Sequence, residues 1–590
     1  MKKQVLRITI LSVLVLLITS SCEKFLKEEY VSGIGFSYYD SESGIEDLVK
    51  SAYVPLRAWG GTQEGLKLSN HGTDIWEYTN VSDGNEFHMY TSSLNPSNGN
   101  FYSIWGAFYQ GISRCNIAIS RIPKIEDVMD VLSTESGKNQ RMGEVKFLRG
   151  YYYFMLVQMF GKIPLLIEEN IGVMTEMSRA EVSDIYGAII SDLRFAAKYL
   201  PETQDQKARP TRSAAQHLLA KVYLTRGSAV SEERGQKSTD MDSAAYYADK
   251  VIEYKGELLD DFNDARRVDN EDNKENLFSV QYTSNKLYDG LGNRMHLFYT
   301  MQYMTVGGLG LSLDYGEAWV RLRPTDYLYD LFELKYDSRF YKSFKTIYFC
   351  NLESTIPKWT SNNAPSVDLV GQSKFGIGDT ALLFSMNVNA KDSEIESKSY
   401  TWRPRNKFTN RVFPCYQYHL DPFRTAATDK YGTLDFKLMW LSETYLIAAE
   451  AYGRQGNYSK AVDYINVVRR RAAYKEGEAK PFQYVLDGGE PSELTSSAVT
   501  DMEISEDQIN SLDKLRDFIL EERARELCGD NERWFDLVRT ETFFDRVVKY
   551  NKECSNAVRP YHKLRPIPQN HIDRLTNVGT IQEEQNEGYY

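Results

Sequence analysis

The stretch AEAYGRQGNYSKAVDYINVVRRRA, residues 449–472, decides the fold. It places two small residues, Ala449 and Ala461, on either side of a Gly-Asn turn at 456–457. Small side chains at these positions let two antiparallel helices pack closely, and the spacing is typical of a tetratricopeptide-like pair. The sequence therefore predicts a helix–turn–helix unit here.

The same arrangement recurs nearer the N-terminus. AAQHLLAKVYLTRG (214–227) and SAAYYADKVIEY (243–254) form a second predicted pair, joined by a polar loop at 228–240. Apolar residues at helical spacing predict three further helices, over residues 105–122, 141–160 and 183–200. Helical pairs of this kind bury their apolar faces only against neighbouring pairs. We therefore expect a mainly α fold, a tetratricopeptide-like solenoid of helical pairs.

Two long regions lack the helical period. Residues 60–100 and 271–435 are rich in Gly, Asn, Ser and aromatic side chains, which favours loops and short strands packed on the solenoid. They are too long to be simple connections between helices. We expect these irregular insertions to carry the function.

Composition limits the partners. The chain has 590 residues, 42% of them hydrophobic and 26% charged, which is ordinary for a globular protein. Lys and Arg number 70 against 82 Asp and Glu, giving a net charge of −12. This charge does not favour binding to nucleic acid.

The N-terminus resembles an export signal. Basic residues precede an apolar run at 8–18, and small polar residues at 19–21 precede Cys22. The run is shorter than the ~20 residues of a membrane-spanning helix. A cysteine directly after such a site resembles a bacterial lipoprotein box, so we predict a signal peptide at 1–21 and lipidation of Cys22. An ordinary secretory signal is the alternative.

The other five cysteines are odd in number and have no CxxC spacing, so the sequence supports neither a disulfide framework nor a zinc site. Cys115 and Cys528 fall in helical patterns and are interpreted as small buried hydrophobes. A single disulfide among the five stays open.

Catalytic motifs are absent from the sequence. The seven histidines form no HExxH pair, and the chain has neither a GxSxG elbow nor a Walker loop. The acid-rich run at 269–276 lacks the central Gly of a calcium loop and is interpreted as a solvated loop. The charged segment 519–539 is explained by helical ion pairs and a buried Trp. We predict no cofactor, no metal and no enzymatic activity, although a paired-carboxylate glycosidase remains the enzyme alternative.

Sugar binding needs flat apolar faces beside planar polar groups. Segments 71–90 and 313–326 interleave aromatic residues with Asp, Asn and Gly, and no helical stripe predicts their burial. The predicted ligand-binding residues are Trp76, Tyr78, Asn85, Tyr90, Tyr315 and Trp319. Trp359 and Trp402 are weaker candidates. The alternative for each tryptophan is a loop anchor packed on the solenoid.

Five blocks, in order along the chain, resemble those of the SusD/RagB family: EVKFLRGYYYFMLVQMFGKIPLL (144–166), PTRSAAQHLLAKVYL (210–224), RLRPTDYLYDLF with DSRF (321–340), ILEERARELCGDNERWFDLVR (519–539) and KLRPIPQNHID (563–573). The closing QNEGYY departs slightly from the family's usual Asn-Pro-Gly-Tyr ending.

The resemblance implies a lipid-anchored outer-membrane protein, exposed at the cell surface. Such proteins bind an oligosaccharide, or sometimes a peptide, and cap a TonB-dependent transporter barrel of the SusC-like type. We expect an N-terminal SusD-like region at 22–230 and a C-terminal region at 231–590. The predicted function is glycan binding for transport. The alternatives are a secreted glycoside hydrolase, a peptide-binding member of the same family, and a tetratricopeptide scaffold that binds only protein.

Overall fold

A computed structural model describes residues 36–126, 131–170, 172–285, 287, 290–475, 477–478, 480–490 and 498–590. The predicted signal peptide and Cys22 lie outside these residues. The longer helices are α1 (Glu42–Ser51), α2 (Gly99–Arg121), α3 (Glu135–Phe160), α4 (Val182–Tyr199), α5 (Arg212–Gly227), α6 (Asp240–Lys255), α7 (Leu441–Arg454), α8 (Tyr458–Ala472) and α9 (Leu512–Glu526).

Shorter elements fill the rest of the described chain. Short α-helices span Gln63–Ser69, Asn85–Met89, Phe262–Arg266, Met295–Phe298, Asp326–Asp330, Arg339–Ser343, Asp392–Glu396, Lys480–Leu486, Ala498–Met502, Arg533–Arg539, Phe543–Tyr550, Gln569–Ile572 and Ile581–Glu584. Turns of 3₁₀ helix span Phe36–Asp40, Val54–Ala58, Ile122–Lys124, Val131–Ser133, Tyr303–Thr305, Glu353–Thr355, Val367–Leu369, Arg405–Lys407, Glu506–Gln508 and Pro560–Lys563. The strands are β1 (Trp76–Glu77), β2 (Asn276–Val280), β3 (Arg323–Pro324), β4 (Phe344–Lys345), β5 (Ile347–Phe349), β6 (Thr380–Ser385), β7 (Thr401–Pro404), β8 (Cys415–Tyr416) and β9 (Phe436–Trp440).

The long helices stack in chain order. Each helix from α2 to α6 packs on the next, and α7 then packs on α6 although about 185 residues separate them in sequence. The hydroxyls of Tyr452 and Tyr464 each donate to the carboxylate of Asp249 on α6 at 2.6 Å, which joins the two pairs. The predicted mainly α fold of stacked helical pairs is confirmed.

The α7–α8 turn has the predicted chemistry. Gly456 has a φ of 83°, in the left-handed region that glycine adopts without strain. The side chain of Asn457 accepts a hydrogen bond from the Lys460 N–H at 3.2 Å and caps α8. Ala449 and Ala461 are fully buried in one apolar cluster with residues of α9. The helical pair therefore has the register that the sequence predicts.

The long insertion contains loops and short strands, as expected, and also several short α-helices that the sequence analysis did not predict. β2 pairs antiparallel with β9, so the insertion begins and ends at one two-stranded ribbon beside the start of α7. Within it, β4 pairs with β8, and β5, β6 and β7 form a small sheet in which β6 and β7 are parallel. The insertion is thus closed at its base and packed on the helices.

Buried ion pairs hold the insertion on the solenoid. Arg339 is fully buried, and its guanidinium contacts the carboxylates of Asp337 at 2.8 Å, Glu522 at 2.8 Å and Glu526 at 3.1 Å. Both glutamates belong to α9. A charge at this depth is tolerated because each donor group has an anionic partner.

The charged segment 519–539 has the structural role predicted for it. Arg523 contacts Glu443 of α7 and Asp536, each at 2.7 Å, and Trp534 is fully buried. These contacts account for the conspicuous charges without any chemistry.

One large apolar cluster contains residues from both sides of position 230, from Ile45 to Ile572. The division into regions 22–230 and 231–590 therefore stays a prediction.

The five cysteines of the described chain are buried and free: Cys115, Cys350, Cys415, Cys528 and Cys554. The interpretation of Cys115 and Cys528 as buried hydrophobes is confirmed.

We predict that Ala461→Leu destabilises the fold, because the site is fully buried and has no spare volume. Overpacking of this kind costs about 1 to 3 kcal/mol. Thermal or urea unfolding measures the change. Val230→Leu, at a side chain 84% exposed in the 228–240 loop, is the control and should leave stability nearly unchanged. Equal tolerance of the two substitutions would contradict the helical register.

Candidate functional site

A short ribbon brings the two predicted aromatic segments together. β1 pairs antiparallel with β3, with Trp76 opposite Pro324 and Glu77 opposite Arg323. Further along, the Thr79 hydroxyl donates to the Val320 carbonyl at 2.5 Å. The backbones that carry Tyr78 and Trp319 therefore run side by side.

The first segment is fixed by a buried ion cluster. Asp74 is fully buried, and its carboxylate contacts Arg533 at 2.6 Å and Arg546 at 3.0 Å. Burial alone would raise the pKa of Asp74, but the two guanidinium groups outweigh it and the pKa is lowered. The Asn551 amide donates to the carbonyls of Thr73 and Trp76. These contacts tie β1 to the C-terminal helices.

Trp76 is placed differently from the sequence-based expectation. Its side chain is fully buried and packs edge-to-face on Tyr299, with ring centroids 5.1 Å apart. The expectation that Trp76 presents an open face to a ligand is wrong. The ring is buried against Tyr299, which lies more than 200 residues away in sequence. The residues next to Trp76 in the sequence therefore do not predict its burial.

Tyr90 and Tyr315 are nearly buried as well. Each side chain is only 7% exposed, so neither offers the open ring face that the sequence analysis predicts. The Tyr90 hydroxyl donates to the Gly72 carbonyl at 2.7 Å, and the ring stacks on His562 at 4.7 Å. The Tyr315 hydroxyl donates to the Phe349 carbonyl at 3.0 Å. Both rings serve mainly as packed loop anchors.

Tyr78 and Asn85 remain partly exposed. The Tyr78 ring lies 5.8 Å from the ring of His88, which stacks at 3.8 Å on His71. Burial lowers the pKa of His88 to about 3, so this histidine is neutral at physiological pH. Its Nε2 lies 3.0 Å from the Arg321 carbonyl. This contact joins segment 71–90 to segment 313–326.

Trp319 is partly exposed and surrounded by positive charge. The guanidinium carbons of Arg294 and Arg321 lie 4.8 and 5.0 Å from its ring centroid, and Lys430 Nζ lies 5.3 Å from it. The indole N–H donates to Glu317 at 3.3 Å. We call Trp319 and these three cations the Trp319 surface. Aromatic rings attract cations in this geometry.

The backbone beside Trp319 is strained. Val320 has a φ of 52°, in a region that β-branched residues rarely adopt. Asn80 and Tyr90, in the adjoining segment, also have positive φ, at 60° and 49°. Strain of this kind persists where surrounding contacts hold it, and it clusters at ligand sites.

A second candidate feature lies around Tyr315. One edge of this residue lines a cavity of about 510 Å³ together with Tyr418, Lys345 and Phe349. Lys345 Nζ lies 5.0 Å from the Tyr315 ring centroid, and burial lowers the pKa of this lysine. The sequence analysis did not identify Tyr418 or Lys345 as candidate site residues. The alternating tyrosines of CYQYH, residues 415–419, are the pattern that could have identified Tyr418.

The weaker candidates lie apart from these residues in the β5–β6–β7 sheet region. Trp402 lines a cavity of about 380 Å³ with Tyr400. Trp359 is 7% exposed, with Lys374 Nζ 4.4 Å from its ring centroid.

Two carboxylates near β1 share one arginine and bear on the glycosidase alternative. Glu77 and Glu553 both contact Arg323, at 2.7 and 4.0 Å. Burial raises the pKa of Glu77 to about 7, although Arg323 opposes the shift. Ion pairing to one arginine explains the pair without catalysis.

No cluster of three or more potential metal ligands occurs among the described residues. Within the same part of the chain, no helix is both long and apolar enough to cross a membrane.

The fold is a solenoid of helical pairs that carries a long insertion. Residues 25–224 match the family described as "Starch-binding associating with outer membrane", and residues 274–589 match the family described as "SusD family". The chain belongs to the SusD family.

The chain is similar to relatives along most of its length. A SusD-like protein of Formosa agariphila is 24% identical over 510 residues, which cover 85% of this chain and 84% of that protein. A SusD-like protein of Bacteroides ovatus is 27% identical over 257 residues, 42% of this chain and 44% of that protein.

Solved structures share the fold. A laminarin-binding SusD-like protein superposes with a TM-score of 0.63 at 23% identity, covering 93% of this chain and all of that one. The surface glycan-binding protein A of Bacteroides fluxus superposes with a TM-score of 0.61 at 22% identity, covering 93% and 99%. At these identities the likeness shows the fold.

We predict that Asp74→Asn destabilises the protein by about 3 to 5 kcal/mol, because it leaves two buried arginines without their anion. Urea unfolding of the wild type and the variant measures this. Since folding lowers the pKa of Asp74, its stabilisation is present above the ordinary aspartate pKa and disappears as pH falls through the folded pKa. The gap between the two proteins should therefore narrow below about pH 4.

Asp326→Asn is the matched control. Its side chain is 76% exposed and pairs with Arg405 at 3.0 Å, so its loss should cost less than about 1 kcal/mol. A cost at Asp74 no larger than at Asp326 would show that the buried cluster does not hold β1.

Proposed function

We propose that this protein is a cell-surface glycan-binding subunit that captures oligosaccharides and delivers them to a TonB-dependent outer-membrane transporter. The observation that carries the proposal is the Trp319 surface. It keeps one tryptophan partly exposed among charged side chains, on a segment held to the solenoid through β1 and Asp74.

The arrangement suits a sugar. The apolar C–H face of a pyranose packs on an aromatic ring, and planar guanidinium groups donate to pairs of neighbouring oxygens. Arg294 and Arg321 lie within reach of the same ring and supply such donors. The contacts that hold this segment in place before binding reduce the conformational entropy that its backbone would lose when a ligand binds.

The family and its structures support a binding role. The matched family is described as starch-binding and associated with the outer membrane, and two structures with this fold are named for binding laminarin or surface glycans. We therefore propose binding without cleavage. Turnover of an oligosaccharide by the purified protein would overturn this in favour of a glycoside hydrolase.

The transporter barrel and the lipid anchor complete the proposal. Export followed by lipidation of Cys22 would hold the protein at the outer membrane, where a barrel can receive the bound ligand. Co-purification with a large outer-membrane barrel tests the partnership.

We predict that Trp319→Ala weakens glycan binding several-fold or more while the protein stays folded, because ring stacking contributes about 0.5 to 1.5 kcal/mol beyond burial. Calorimetric titration with a panel of oligosaccharides, beside a melting curve, measures both effects. Trp76→Ala is the contrast: its buried ring should cost about 3 to 5 kcal/mol of stability. Unchanged affinity in Trp319→Ala, or a melting loss that accounts for weaker binding, would remove Trp319 from the site.

We predict that Cys22→Ala releases the protein from the outer membrane, because lipidation supplies acyl chains worth ~0.8 kcal/mol per buried CH₂. Membrane fractionation and labelling with a fatty-acid analogue measure this. Ser21→Ala keeps a small residue before the cysteine and should still be lipidated. Membrane retention of Cys22→Ala equal to that of the wild type would contradict the anchor.

A further inference from the structure

Three separate segments bring cations to Trp319. The backbone N–H of Trp319 donates to the Leu297 carbonyl at 2.9 Å, which places Trp319 beside the short helix that follows Arg294. Asn293 and Gly432 form an isolated antiparallel bridge, and Lys430 lies two residues before Gly432. Arg321 follows Trp319 on its own segment. The backbone therefore positions all three charges around one ring.

Two of these cations have no carboxylate partner among the described residues. Within this part of the chain, neither Arg294 nor Lys430 makes a side-chain hydrogen bond or ion pair, and both lie near the Trp319 ring. Arg321 pairs with Asp83 at 3.1 Å, but its Nε is enclosed and has no hydrogen-bond partner.

The charge around Trp319 is opposite in sign to that of the whole chain, which carries a net charge of −12. Two buried arginines elsewhere, Arg339 and Arg533, are paired with carboxylates. Among the described residues, the carboxylates that contact Trp319 or its three cations are Asp83, on Arg321, and Glu317, on the indole N–H. The unpaired positive charge within this part of the chain therefore lies on Arg294 and Lys430.

Like charges held this close repel each other. The positive charge of Arg294 contributes to lowering the pKa of Arg321, after the larger effect of burial. An arrangement of unpaired cations around a partly exposed ring gains stability when an anion binds to it.

Building on the proposed glycan-binding function, we propose that the Trp319 surface selects acidic sugars, those bearing a carboxylate or a sulfate. The sugar ring packs against the exposed part of Trp319, and its acidic group accepts hydrogen bonds from the Arg294 guanidinium. Guanidinium groups bind carboxylates and sulfates in a bidentate manner, whereas Lys430 acts as a point charge.

Calorimetric titration of the full chain with paired ligands tests the proposal. One pair is a galacturonic acid oligosaccharide and the same compound after reduction of its carboxyl groups to alcohols. The other is a sulfated galactan oligosaccharide and its desulfated form. At least one acidic ligand should bind about tenfold or more tightly than its neutral partner, and only its affinity should fall steeply with added NaCl.

Two variants locate the effect. Lys430→Gln and Arg294→Gln should each weaken the acidic ligand about five- to tenfold and leave the neutral partner nearly unchanged. Lys198→Gln is the matched control: Lys198 is exposed on α4, lies 4.6 Å from the ring centroid of Tyr199 and has no ion pair in the described chain. It should change neither affinity.

The outcomes separate this proposal from the one on which it rests. Binding of neutral and acidic forms with equal affinity, or equal loss of both in the two variants, overturns acidic selectivity and leaves glycan binding intact. Failure of every glycan to bind overturns both. Tight binding of a glutamate-rich peptide with no binding of either acidic sugar would assign the cations to a peptide ligand and overturn the proposal.

Discussion

Buried pairing between arginine and carboxylate is the interaction on which the rest of the structure depends. Asp74 joins the first irregular segment to Arg533 and Arg546, while Arg339 joins the long insertion to α9. Arg471 of α8 reaches Glu275 beside β2 and Glu526 of α9. The long insertion also has its own buried apolar cluster, and these charged contacts add fixed attachment points between the loops and the helices. Removing one partner leaves an uncompensated charge, which makes each contact selective for a single arrangement.

This constraint explains how a loop-based surface stays ordered. The ion cluster at Asp74 fixes β1, β1 fixes β3, and β3 continues from the turn at Val320 that carries Trp319. Each step is a direct contact. The strained φ of Val320 is tolerated because the Thr79 hydroxyl and the helix at Met295–Phe298 hold the backbone from both sides.

The helices could be predicted from sequence because their signal is local. The spacing of Ala449 and Ala461 and the Gly-Asn turn specify the α7–α8 pair within a few dozen residues. The candidate site could be predicted only in part. Trp76 and Trp319 look alike in sequence, yet Tyr299 covers one and not the other. Arg294 and Lys430 belong to different loops. The bridge between Asn293 and Gly432 joins these loops, and only the structure shows that both cations lie beside Trp319.

The β2–β9 ribbon has a consequence for how such a protein diversifies. Because the ribbon fastens the two ends of the insertion, they stay together whatever the length of the loops between them. The entropy of closing a loop grows only slowly with its length, so residues added to or removed from loops that do not pack on the helices should change the stability of the helical stack little. Segments that do pack on the stack, such as that of Arg339, remain bound to α9. Exposed recognition loops can therefore be exchanged between descendants while the scaffold and the segments bound to it are kept.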